Sequence, residues 1–558
     1  MRPAYRSRDA VAVLVFAAVA AVWTFLAFQD DQLSPEQANL AAAAMKSHEP
    51  GLFAGDPFMS HGQAWRCHSP GFRAMLKGLL AIQGYSDPLL PFRLLTAPMV
   101  MLYLWGMYAL LRSHCRSWSI SAFVAILSAT VTPALAGNSW GVGSLASITP
   151  AGLCVCLCPP VVLAFLLWRP YRLRLLVFLL TGALANIHAT TAMNLAIALS
   201  VSHLIEQRAA LRAWPATAGL GLAAILGASP FLVYAWNLAD GGLSAVTLSE
   251  VRAGLAGIQT PLLFPEMLRD ASGWLIRAAV LAVPAAIVLS QVRRFHPRNG
   301  PIWIGLACTT PVTALGLQGV SQFIGKAANT LPPVIGFSQS SALMMLPLYV
   351  LFAEALAAVF RLTRPHRGLL RTACGVLLVA WMIPSDNMRP ARHAAYELAT
   401  AFREEEDRPR RVQRLQEQRQ ENREIAAIAR WATDNTPTSA VFLTDRAEFR
   451  PLSRRGIVAG EADGQSLYYL SPSRLPSWLR RLARQSALLY RPGERLSSKD
   501  MRDFLADLAR HLEVPAGGPR YVIAPAQKAL EDYGATVIDP SGAWGRHYRL
   551  YRLEAATP

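Results

Sequence analysis

Asp30 and Asp31 stand side by side where a long apolar run, Val11 to Phe28, stops. A carboxylate held beside a membrane surface can accept a proton from an acceptor hydroxyl in a transition state, which is general-base work. Two neighbours at a helix end cannot both aim at one hydroxyl. Asp31, one residue further from the apolar run and better solvated, is the expected base, and Asp30 the residue that caps or supports the turn. Gly55-Asp56-Pro57 supplies a further carboxylate, either to bind an acceptor or to hold a metal. Around these acids the cations Arg73, Lys77 and Lys326 could meet a phosphate, and His61, His68 and His188 could bind substrate. Each has a structural alternative. The acidic pair also reads as a solvated helix end, the cations as side chains snorkelling along apolar surface, and His188, within Leu184-Ala185-Asn186-Ile187-His188-Ala189-Thr190-Thr191, as a hydrogen-bonded tip residue.

A base does not supply an activated donor. The chain has no nucleotide-binding glycine pattern and no zinc signature. The carboxylates are expected to face a compartment that normally lacks nucleotide sugars, so a lipid-linked donor fits the chemistry.

The elements that must position these residues are apolar helices. Val11–Phe28 is about long enough to cross a hydrocarbon core of roughly 30 Å. Arg2, Arg6 and Arg8 ahead of it keep the N-terminus cytoplasmic by the positive-inside tendency, and no small-x-small cleavage site precedes the acids, so the run reads as an anchor. Further runs at 92–111, 120–135, 152–167, 175–187, 189–204, 217–234, 274–289, 302–317, 342–360 and 369–383 give about eleven spans. Arginines cluster in alternate loops: Arg112 and Arg116; Arg169, Arg172 and Arg174; Arg208 and Arg212; Arg293, Arg294 and Arg298; Arg361, Arg364 and Arg367. The opposite loops are nearly neutral or acidic. An odd count starting inside finishes outside, so residues after Pro384 are expected to be extracytoplasmic.

Between the first two runs, Pro35–Lys46 and Gly71–Gln83 read as amphipathic helices in the interface plane, the first opened by Ser34-Pro35-Glu36 as cap and first turn. The chain then divides into a membrane domain (1–384, with the interfacial helices at about 34–83), a charged helical neck (385–432) and an α/β domain (433–558). In the last, Ala440–Thr444 and Arg520–Ala524 read as buried strands, Pro476–Tyr490 and Lys499–Leu512 as helices, and Tyr548–Leu553 as an edge strand.

Composition agrees with a multi-pass membrane protein: of 558 residues 53% are hydrophobic and only 16% charged, a balance foreign to soluble domains. The formal charge of +18 is spread as arginine over short loops, which topology demands, and so does not point to nucleic acid. Seven cysteines give no disulfide framework: Cys154, Cys156 and Cys158 sit within one apolar run, and Cys67 is the one expected outside.

The acidic pair after a first span with its N-terminus inside, two interfacial helices, Gly55-Asp56-Pro57, many further spans and an outer C-terminal domain together resemble the GT-C superfamily of polyprenyl-phosphate-dependent glycosyltransferases. In the tail, Trp431-Ala432-Thr433-Asp434-Asn435-Thr436-Pro437 and Phe449-Arg450-Pro451-Leu452-Ser453-Arg454-Arg455 are similar to outer domains of bacterial members, many of unassigned activity. The resemblance implies a cell-membrane enzyme of the cell envelope that moves a sugar from a polyprenyl-phosphate-linked donor to an extracytoplasmic sugar, lipid or protein acceptor. It also implies Asp30 or Asp31 as base and Asp56 as a second carboxylate. His68, His188, Lys326 and Arg73 are the expected substrate-binding residues. The pattern departs from oligosaccharyltransferases, because Trp431 is followed by Ala432 and Thr433 and not by the Trp-Trp-Asp triplet. No metal ligand is assigned, and dependence on a divalent metal is left open. Other readings are a non-catalytic scaffold, a polymerase or ligase component for surface polysaccharide, and a transporter. The last is weakened by the few charges within the spans.

Overall fold

The computed structural model describes residues 3–553 apart from 61–68, 83, 134–138, 209–212, 238–247, 252–277, 291–299, 329–341, 364–365, 401–409, 491–519, 527–529, 532–534, 539–541 and 543. The chain forms two compact units interleaved in sequence. The first comprises Met1–Asp30, Phe92–Asn237 and Leu255–Arg392, the second Asp31–Pro91, Leu238–Gly254 and His393–Pro558.

The first unit is helical. Among the described residues five helices are long and apolar enough to cross a membrane: Arg8–Phe28, Leu90–Cys115, Pro150–Leu167, Ala213–Trp236 and Ala342–Leu362. They become six if the bent pair Arg367–Met382 and Asp386–Thr400 is one span. About eleven were expected; the run at 274–289 lies partly outside the described residues, and at two others the structure departs locally from one run, one span. The run at 120–135 yields Trp118–Ala129, whose 12 residues rise only about 18 Å. It ends where the Ser128 and Thr130 hydroxyls turn back onto Ala125 O and Leu127 O, after which β1 (Thr132–Pro133) pairs with β2 (Ser139–Trp140). The runs at 175–204 form two helices, Tyr171–Ala183 and Ala185–Glu206, parted at Leu184.

Ala213–Trp236 packs tightly on Tyr171–Ala183 because glycines let the backbones meet. A Cβ on Gly182 would lie 1.9 Å from Ala224 O, and one on Gly227 would lie 2.0 Å from Leu179 O.

Among its described residues the second unit carries a five-stranded sheet in the order β4–β3–β5–β7–β6, where β3 is Val441–Leu443, β4 Gly456–Ile457, β5 Arg520–Pro525, β6 Ala535–Ile538 and β7 Tyr548–Leu553. β3 runs parallel to β4 and β5, and β7 antiparallel to β5 and β6. The alternation of Tyr548–Leu553 suggested an edge, yet β7 lies inside the sheet, with Tyr548, Leu550 and Tyr551 buried. Alternation marks a strand with two unlike faces and says nothing about its lateral neighbours.

The helix Arg410–Asn435 covers one face through Ile425, Ile428 and Ala432, which pack with Phe442, Phe449, Tyr521 and Leu550. Trp431 meets Tyr521 and Trp544 edge-on, so the tryptophan of the tail motif is a packing residue. The helix expected at Pro476–Tyr490 is present as Leu475–Tyr490, and the one at Lys499–Leu512 falls outside the described residues.

Pro35–His48 is a helix as its cap promised. Ser34 Oγ accepts from Gln37 N at 3.3 Å, and Ser34 N donates to Gln37 Oε1 at 3.0 Å. It differs from expectation in its surroundings. Every residue from Gln37 to Met45 is buried, so the helix is packed inside its unit and has no apolar stripe left for lipid. Pro70–Ile82 keeps a one-sided character, burying Phe72, Leu76 and Leu80.

Candidate functional site

Asp30 closes the first helix and is tied down in its unit. The first helix ends at Phe28, and the Asp30 amide donates to Ala27 O as the last turn tightens. Arg389 Nη2 meets Asp30 Oδ2 at 2.5 Å, and Arg93 Nη2 donates to the Asp30 carbonyl at 2.7 Å while its guanidinium lies over the Phe28 ring. Arg389 is itself positioned by the short turn Asp386–Met388. There Asn387 Oδ1 accepts from Val131 N and its Nδ2 donates to Val142 O, both at 2.7 Å. Two guanidinium groups therefore hold Asp30, Arg389 through its carboxylate and Arg93 through its backbone carbonyl. Asp31, the next residue, is exposed and has no hydrogen-bond partner among the described residues.

Asp56 is fully buried in the second unit. Oδ1 accepts from Phe58 N and Met59 N at 2.9 Å each, and Oδ2 accepts from Ile457 N at 3.0 Å and Arg450 Nε at 2.7 Å. Arg450, also fully buried, reaches on to Asp463 Oδ2 at 2.9 Å and Asn39 Oδ1 at 2.5 Å, and Asn39 donates to Asp463 Oδ1 at 2.9 Å.

Burial alone would lower the Arg450 guanidinium. Asp463 and Asp56 outweigh it and hold the group above its usual value, charged at any ordinary pH. Arg481 feels the same two carboxylates, although burial leaves it lowered. Lys46 closes the neighbouring loop by donating to Pro50 O and Leu52 O at 3.0 and 2.6 Å. Burial lowers its ammonium and the Asp56 charge opposes that.

The glycine of Gly55-Asp56-Pro57 has a steric reason. A Cβ there would fall 2.5 Å from a Val441 methyl and 2.7 Å from Ser439 O, so only glycine lets this loop approach β3. The motif clasps the segment after the first helix to the C-terminal sheet.

No protein-family model matches the sequence, and no curated protein matches it. Six chains of solved structures do. A crystal structure of the Archaeoglobus fulgidus oligosaccharyltransferase in complex with Zn and sulfate superposes with a TM-score of 0.45 at 13% identity, covering 92% of this chain and 68% of its own. The archaeal oligosaccharyltransferase AglB from the same organism, in complex with an inhibitory peptide and a dolichol-phosphate, gives 0.45 at 12% identity over 93% and 70%. At that distance no metal, ligand or residue role passes from either protein to this one.

His188 lies within Ala185–Glu206 at a break in helical geometry, φ −151° and ψ 101°. Its Nδ1 accepts from Thr191 N at 3.3 Å and lies 2.8 Å from Thr191 Oγ1. With Nδ1 as acceptor, a neutral ring carries its proton on Nε2. Arg73 is on Pro70–Ile82 and half-buried; Lys326 is on Gln318–Ala327, its side chain outside the described residues, as is the whole of His68.

Among the described residues no group of three or more His, Cys, Asp or Glu could hold a metal ion. The fit of Asp56 to a metal is poor, because both its oxygens are committed to N–H donors and a guanidinium sits where a cation would sit. The residues that sequence reasoning missed are Arg450, Asp463, Asn39 and Arg389. Each has a partner far off along the chain, Arg450 being 394 residues from Asp56, and no local pattern announces such pairs.

Proposed function

We propose that this chain is a multi-pass membrane glycosyltransferase that moves a sugar from a polyprenyl-phosphate-linked donor to an acceptor on the extracytoplasmic side, with Asp31 as general base. The observation that supports this reading is the inequality of the pair at the end of the first apolar helix: Asp30 is held by Arg389, whereas Asp31 is exposed. In the reaction an Asp31 oxygen takes the acceptor hydroxyl proton as the acceptor oxygen bonds to the anomeric carbon. The bond from that carbon to the phosphate oxygen breaks, and the polyprenyl phosphate leaves. Lys326 and Arg73 are assigned to the phosphate, His68 and His188 to the sugars. Asp30 positions the turn. Asp56 enters as the carboxylate that holds the loop before Phe58 in place.

This reading carries about eleven spans, a cytoplasmic N-terminus and the division at 384 and 432, taken as a division by environment. A non-catalytic scaffold keeping the same body is the second reading. It is favoured by the commitment of Asp56 to Arg450, which removes one of three candidate carboxylates from any reacting centre.

Transfer of label from a native lipid-linked sugar pool, in membranes with matched expression, tests both. Asp31→Asn lowers the rate about 10²–10⁴-fold, the contribution of a positioned base, and Asp30→Asn lowers it less. Transfer by Asp31→Asn at the parental rate overturns the mechanism. Absence of any transfer by the parent favours the scaffold.

A further inference from the structure

A cavity of about 810 Å³ opens in the first unit where four helix ends come together: the end of Leu90–Cys115, the start of Trp118–Ala129, the end of Met345–Leu362 and the start of Arg367–Met382. Its walls are of two kinds. Trp118, Ile120, Phe123, Leu356 and Phe360 give an apolar side, and Arg361, Arg367 and Arg371 give a side of three guanidinium groups with no acid in the lining. All three arginines are exposed, and Arg367 and Arg371 enter no salt bridge among the described residues. Arg361 donates Nε to Ala357 O at 3.2 Å, and the acid acting on it is Glu354, two turns back on the same helix.

The arrangement opposes the helices' own electrostatics. Arg367 and Arg371 are four residues apart in the first turns of their helix, where like charges repel and the helix end is already positive. Neither this helix, preceded by His366, nor Trp118–Ala129, preceded by Ser117, has a side-chain cap. Loop arginines that merely fix topology would explain the sign of the charge but not its convergence with aromatic rings on one cavity. An anion balances the arginines and the helix ends, and the apolar wall asks that it carry hydrocarbon. At the ends of membrane-crossing helices, a basic pocket of this kind suits a lipid head group.

We propose that the cavity seats the phosphate of an anionic phospholipid of the surrounding leaflet on Arg361, Arg367 and Arg371, with its acyl chains along Phe123 and Phe360. This lipid site is independent of the Asp30–Asp31 pair and of the glycosyl-transfer reading.

The test is native mass spectrometry of the full-length protein released from mixed phosphatidylglycerol and phosphatidylcholine bilayers. The parent retains phosphatidylglycerol in preference, and Arg367→Gln with Arg371→Gln lowers that preference about tenfold. Arg367→Lys with Arg371→Lys keeps most of it, which separates lost charge from lost fold. Arg116→Gln, between Leu90–Cys115 and Trp118–Ala129 but off the lining, changes nothing. Equal preference in the Gln variant and the parent, or none in the parent, overturns the proposal. Displacement of phosphatidylglycerol by a polyprenyl phosphate at equal concentration overturns the choice of occupant.

Discussion

Asp56 and Arg450 illustrate how a buried charge is tolerated: each oxygen and each guanidinium edge has a partner, so neither charge stands alone in a low-dielectric setting. Removing one member leaves the others uncompensated. Arg450→Met therefore destabilises the second unit by about 3–5 kcal/mol, read from the denaturant midpoint in detergent; a loss under about 1 kcal/mol would show the cage to be dispensable.

Asp445, after β3, gives a pH signature. Burial raises its carboxyl above the ordinary value of 3.8, helped by Glu448 and Glu461 and opposed by Arg446. A raised folded value means the folded chain binds the proton more tightly. Stability is therefore lost as pH rises from about 4 through the folded value. Asp445→Asn does not titrate, so the Tm of the variant relative to the parent is higher at about pH 7 than at about pH 4. A constant difference across that range refutes the assignment.

At the scale of elements, the helix Pro35–His48 shows a local signal and a tertiary one side by side. Its start was legible, because Ser34 and Gln37 bond reciprocally whatever lies around them. Ser34→Ala is expected to lower stability by about 1 kcal/mol in the same unfolding assay, while Ser34→Asp retains it. Its burial was not legible. Short alanine-rich helices carry no stripe strong enough to reveal whether lipid or protein covers them, and here Asn39 on this helix joins the Arg450 cage. The interruption of apolar runs at residue 188 was readable, and there His188 leaves helical geometry with its Nδ1 taking the Thr191 amide; the parting of the two helices at Leu184 was not.

For the whole molecule, the proposed topology rests on the arginine alternation and on the odd number of apolar runs read from the sequence. Reporter fusions placed after Pro384 are expected to be active in the extracytoplasmic space and fusions before Arg8 in the cytoplasm. Cytoplasmic activity after Pro384 means a miscounted span, and 175–204 is the first place to look, since neither Tyr171–Ala183 nor Ala185–Glu206 is among the helices long and apolar enough to cross alone.

The sequence by itself determined what depends on neighbours in the chain: that it carries several long apolar helices, that the first ends at an acidic pair, how Pro35–His48 is capped, and that Tyr548–Leu553 is a strand. Those features rest on hydrophobic run length, capping chemistry and period, all local quantities. Only the tertiary structure decided that Asp30 is bound to Arg389, that Asp56 meets Arg450 and Ile457, and that the motif at Phe449–Arg455 holds a loop from the start of the chain. A buried ion pair is chosen by three-dimensional proximity, and one sequence carries no trace of which arginine will arrive beside which carboxylate.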